Sequence, residues 1–139
     1  MVETPMPDQL NDDPRKLSAM IARAGDLAES HEVTSVMVGL VAEQGDGRFP
    51  EYIDFLQGSL RVEDAIFRMT RERALVHLAD CSKEQANKIL DRLESQFLSE
   101  FPSLSKLEFG KRQFEVKPGG ERPRVKDVLT EIFAPRVLH

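Results

Sequence analysis

Apolar positions along the chain fall into four stretches at helical spacing, with short β-prone runs between them. Leu17, Met20, Ile21, Ala24, Leu27 and Ala28 stand three and four residues apart, as on one face of a helix. Asp13-Pro14 supplies its start, an acceptor at the N-cap and proline at the first helical position. Residues 33–41 (Val-Thr-Ser-Val-Met-Val-Gly-Leu-Val) are almost continuously apolar, which predicts a strand covered on both faces. Gln44-Gly45-Asp46-Gly47 breaks the pattern, and Phe49-Pro50 opens a short helix with Tyr52, Ile53, Leu56 and Leu60 on one side. Residues 64–69 and 74–78 are two further apolar runs. Only Thr70, Arg71, Glu72 and Arg73 separate them, so they predict a β-hairpin.

Ser82 followed by Gln85 is a capping box for a helix with a buried stripe of Ala86, Ile89, Leu90, Leu93 and Phe97, closed by Phe101-Pro102. Residues 104–116 read as strand in two arms, Leu107 and Phe109 in the first, Gln113, Phe114, Glu115 and Val116 in the second. Gly119-Gly120 predicts a turn, and residues 123–133 a last helix carrying Val125, Val128, Leu129 and Ile132. The order of elements predicts an α/β (α+β) domain: a ferredoxin-like βαββαβ core with an added N-terminal helix and C-terminal helix. Residues 1–13 read as a flexible tail and residues 14–139 as a single domain. The first helix either packs on this domain or offers a partner surface. Packing is the expectation, because most apolar helical faces are core.

Composition narrows the setting. With 40% apolar and 31% charged residues, the chain has the make-up of a globular domain. No apolar run approaches the ~20 residues that span a bilayer, and the polar, acidic N-terminus lacks the apolar segment of a secretory signal, so no membrane partner is expected. Cys81 is the single cysteine, which excludes an internal disulfide and a multi-cysteine metal site. A reducing cytoplasm is the simplest location. Residues 1–102 carry 11 Lys and Arg against 19 Asp and Glu, a net of −8, whereas residues 103–139 carry 8 against 5, a net of +3. The basic residues Lys106, Lys111, Arg112 and Lys117 alternate with Glu108 and Glu115, as on a solvated strand face. Together with the overall acidity this argues against a nucleic-acid partner.

The stretch 60–78 and the helix after it resemble the GGDEF (diguanylate cyclase) family in order and spacing. That family's hairpin turn reads Gly-Gly-Asp/Glu-Glu-Phe; the same places here hold Thr70, Arg71, Glu72, Arg73 and Ala74. A glycine pair lets backbone approach a nucleotide without Cβ interference, and Thr70 and Arg71 fill that space. The family's second turn carboxylate helps hold divalent cations, and Arg73, a cation, stands there instead. Its other metal ligand is an aspartate in the first strand, which this reading places at Gly39. The resemblance therefore implies a degenerate GGDEF-like domain with no catalytic residue, no metal and no cofactor. The segment between first strand and first core helix is also short, and Gly45-Asp46-Gly47 lacks the Lys-Ser/Thr of a P-loop.

Many members of the family bind their product, cyclic di-GMP, at an Arg-x-x-Asp motif five residues before the turn, often with a further arginine on the next helix. Arg61 and Asp64 hold that spacing here, and Arg92 falls at the helix position. An arginine fork matches guanine O6 and N7 or a phosphate, and a carboxylate accepts from guanine N–H groups. The plainer alternative is an arginine at a helix C-terminus and an aspartate opening a strand. His77 reads as a core or sheet-face residue, His31 and His139 lack zinc-ligand neighbours, and Glu72 reads as a surface acid paired with Arg71 or Arg73. Cys81 precedes a helix N-terminus, a place that can lower a thiol pKa, but no paired histidine is in reach. Two functions are expected from the resemblance. The first is a catalytically inactive regulatory domain acting through protein partners, with itself as a homodimer among them. The alternative is a cyclic di-GMP receptor using Arg61, Asp64 and Arg92.

Overall fold

The computed structural model describes residues 12–133. The elements run α1 (Pro14–His31), β1 (Ser35–Val41), α2 (Arg48–Ser59), β2 (Ala65–Arg68), β3 (Arg73–Leu78), α3 (Lys83–Glu100), β4 (Gly110–Val116) and α4 (Val125–Phe133). The four strands form one antiparallel sheet in the order β2-β3-β1-β4, the expected βαββαβ arrangement with a helix added at each end. The expected tail falls mostly outside the described residues, as does His139.

Alternation in β1 explains why that strand is apolar throughout. Val36, Val38 and Leu40 pack with Phe49, Tyr52, Ile53 and Leu56 of α2 and Ala86, Leu90, Leu93 and Phe97 of α3. Met37, one residue out of phase, joins the opposite cluster, made by Leu17, Met20, Ile21, Ala24 and Ala28 of α1 with Val128 and Ile132 of α4. The sheet is thus the middle of three layers. α1 is docked on its own domain, and burying each of its larger side chains contributes about 1.5–3 kcal/mol.

Local chemistry sets the helix ends. Asp13 accepts from Arg15 N at 2.9 Å. Asp46 caps α2, accepting from the backbone N of Arg48 (2.7 Å) and Phe49 (3.1 Å). Both halves of the Ser82–Gln85 box are formed. Gly119 adopts φ +81° in the turn before α4.

Two expectations need correction. Val33 and Thr34 precede β1: Val33 N donates to Leu27 O at the end of α1, and Thr34 O accepts from Cys81 N. The two-armed strand is one strand, β4, whose first residue, Gly110, pairs with Val41. Leu107 and Phe109 are instead drawn against the α2–α3 cluster by their apolar side chains. Cys81 is buried, and burial raises its thiol pKa, so the helix terminus does not activate it.

Candidate functional site

The Arg61–Asp64 motif lies in the connection between α2 and β2, against the end of β3. Asp64 N donates to Arg61 O (3.0 Å), closing a turn that places the two side chains together. Arg61 grips the Asp64 carboxylate through Nε (2.8 Å) and Nη2 (2.9 Å), and Arg61 N adds a bond of 3.2 Å. Ala79 N donates to the same carboxylate at 3.0 Å, while Arg61 Nη2 donates to Ala79 O at 2.8 Å. The pair therefore staples the entry of β2 to the exit of β3.

Burial divides the labour within the pair. The Asp64 side chain is only 1% exposed and its oxygens already accept four hydrogen bonds, whereas the Arg61 side chain is 41% exposed. The bonds to Asp64 hold the Arg61 pKa above its ordinary value. Arg61 is thus the partly exposed member of the pair, and Asp64 is the buried one that fixes its orientation. Glu63 lies 3.5 Å from Arg61 Nη1. Arg92 is exposed on α3, and no hydrogen bond or ion pair joins it to Arg61 or Asp64. The structure brings together two of the three expected residues.

The turn is built for packing rather than for phosphate. Thr70 Oγ1 accepts from Glu72 N (3.1 Å). Glu72 O accepts from Ala42 N (2.8 Å), and the Glu72 carboxylate lies 3.5 Å from Gly45 N. The expected pairing of Glu72 with Arg71 or Arg73 is replaced by this contact with the β1–α2 loop. The Arg73 guanidinium sits over the Phe133 ring of α4, 5.7 Å from its centroid, and Arg71 is exposed.

Gly39 is not a rim position. It lies in mid-strand between Leu75 and Arg112, and a Cβ there would stand 1.9 Å from Ile132 Cγ2. The strand residues that border the turn are Val41, opposite Arg73, and Ala42, and neither carries a carboxylate. Asp46 is committed to capping α2. Among the described residues no cluster of three His, Cys, Asp or Glu could hold a metal ion. The donor set beside the turn does not fit a two-metal cage.

A second hollow escaped the sequence reading. Arg48 is buried with its guanidinium 4.5 Å over the Phe97 ring, donating to Glu51 Oε1 (2.9 Å) and to Phe101 O. With Asp54, Phe55 and Phe101 it lines a cleft of about 630 Å³ between α2 and the end of α3. The signal was the recurrence of aromatic residues at positions 49, 52 and 55 and at 97, 101 and 109, whose rings stack and tilt against one another.

The sheet order, the helix layers and the hairpin define a GGDEF-like fold. The chain is similar to solved structures of PelD from Pseudomonas aeruginosa. To PelD 158-CT of strain PAO1 it has 25% identity over 85% of its own length and 44% of that chain, with a TM-score of 0.65. PelD 156-455 of strain PA14 in complex with c-di-GMP gives 26% identity, 87% and 44% coverage, and a TM-score of 0.65. The PAO1 protein in complex with c-di-GMP gives 25% identity, 94% and 47% coverage, and 0.63. The chain thus spans less than half the length of these PelD chains. No protein-family model matches the sequence, and no curated protein matches it. No helix among the described residues is long and apolar enough to cross a membrane.

Proposed function

We propose that this chain is a non-catalytic GGDEF-like regulatory domain that receives cyclic di-GMP at the Arg61 corner. The observation that carries the reading is the geometry there. A guanidinium is held in a fixed plane by a buried carboxylate and a carbonyl; its side chain is 41% exposed, and its remaining nitrogen, Nη1, lies 3.5 Å from Glu63. The two Nη1 hydrogens can donate to an acceptor such as guanine O6 or N7 or a phosphodiester oxygen, and a ligand that displaces Glu63 would meet a positioned cation there. Similarity to PelD solved with c-di-GMP supports the same ligand class. Arg92, long and unpaired on α3, is the candidate second cation. Val41 and Ala42, the strand residues that border the turn, carry no carboxylate, which supports a receptor rather than a cyclase.

Calorimetric titration with cyclic di-GMP tests this. Micromolar binding that disappears in Arg61→Ala and weakens in Arg92→Ala is the expected result. Silence at high ligand concentration, or binding indifferent to Arg61, rejects it. A reading as a protein-interaction module draws on a separate observation: Phe101 is 48% exposed beside the Arg48 cleft, and Leu104 is fully exposed. In that reading the cleft seats a partner, and cyclic di-GMP has no effect.

A further inference from the structure

The two edges of the sheet are treated differently. The β2 edge is four residues long, and Asp12 caps its last residue. Asp12 N donates to Arg68 O, and Arg68 N donates to Asp12 Oδ2, both at 2.8 Å. The β4 edge is seven residues long, and no strand lies beside it among the described residues. It offers about 24 Å of strand. Natural sheets blunt or cover such an edge, or use it for pairing.

Both faces of β4 are held. Gln113 Nε2 donates to Lys83 O (3.2 Å) and Asn87 Oδ1 (2.9 Å) of α3, and Lys111 Nζ donates to Asp91 (3.2 Å). On the other face Phe114 and Val116 pack with the α1–α4 cluster. The strand is therefore fixed in place before any partner arrives, which lowers the entropic cost of pairing.

We propose that β4 pairs antiparallel with β4 of a second copy about a two-fold axis at Gln113, joining two four-stranded sheets into one. The strand is complementary to itself in that register. Lys111 stands opposite Glu115 of the second copy, and symmetry repeats the pair. Arg112 stands opposite Phe114, and the two Gln113 carboxamides face each other. Sliding one copy by two residues in one direction sets Arg112 against Arg112; in the other it sets Lys111 against Lys117. Like charges oppose both slips, so the charges that favour the pair also select its register.

The test is the mass of the whole 139-residue chain by sedimentation or light scattering over a concentration series. A dimer is expected. Lys111→Glu or Glu115→Lys alone weakens it about tenfold, because two attractive pairs become repulsive. The double reversal Lys111→Glu with Glu115→Lys restores it. Thermal melts follow the monomer fold, since Lys111 also meets Asp91 and Glu115 accepts from Lys83 N (3.2 Å). Rescue by the double reversal cannot come from those contacts, which it leaves mismatched. A monomer at every concentration overturns the proposal. So does a dimer insensitive to the single reversals, or a double variant no tighter than the singles. The outcome does not depend on whether cyclic di-GMP binds.

Discussion

Gly39 of β1 and Ile132 of α4 are in such close apposition that a methyl group on the glycine would lie 1.9 Å from the isoleucine Cγ2. Glycine is required here for space, not for a turn. Gly39→Ala should cost about 1–3 kcal/mol through overpacking, and Gly39→Asp more, because it also buries a carboxylate. Urea unfolding of Gly39→Ala, Ile132→Ala and the double variant checks the cause. In the double the two penalties should add to less than their sum, since the truncated isoleucine makes room.

Asp64 is expected to matter more for stability than its position in a loop suggests. Asp64→Ala strips acceptors from Arg61 and leaves Ala79 N unpaired, a loss of about 2 kcal/mol. Arg61→Ala leaves the carboxylate with its two backbone donors and should cost less. The order of the two midpoints in denaturant decides the point.

His77 makes the fold sensitive to acid. It is fully buried at the sheet face next to α1, neither ring nitrogen has a partner among the described residues, and its pKa is lowered to about 4, burial being the largest cause. The positive charge of Arg23 acts in the same direction, and the negative charge of Asp64 opposes it. The folded state therefore binds fewer protons than the unfolded chain between pH 6.5 and about 4. The stability contribution is complete above pH 6.5 and is lost as pH falls through that window, up to about 3 kcal/mol. In His77→Met the same pH series should be flatter over that interval.

The capping box at the start of α3 gives a smaller, local effect. Ser82→Ala should remove about 1 kcal/mol, read as a drop in thermal midpoint with no change in ligand affinity. A change in affinity without a drop in midpoint would contradict the purely structural role of Ser82.

Much of the fold was legible because it rests on short-range patterns. The three-and-four spacing in α1, the Ser82–Gln85 box and the two runs flanking Thr70 each specify their element locally. What the sequence hid depends on distant partners. Leu107 and Phe109 looked like a strand arm because their alternation fits one, but Phe109 packs against Phe49 and Tyr52, and the strand starts only at Gly110, opposite Val41. The motif showed that Arg61 and Asp64 sit three residues apart. It could not show that Ala79 seals the aspartate, a contact across 15 residues. Arg48 was invisible for the same reason, since Phe97 and Phe101 come from the far end of α3.

An amide NMR titration of the chain with cyclic di-GMP locates the binding site on the fold. Shifts concentrated on residues 60–64 and 79–81, extending to Arg92, are the expected result. Shifts centred on residues 42–47 and 70–73, or none at saturating ligand, would contradict a receptor site at Arg61.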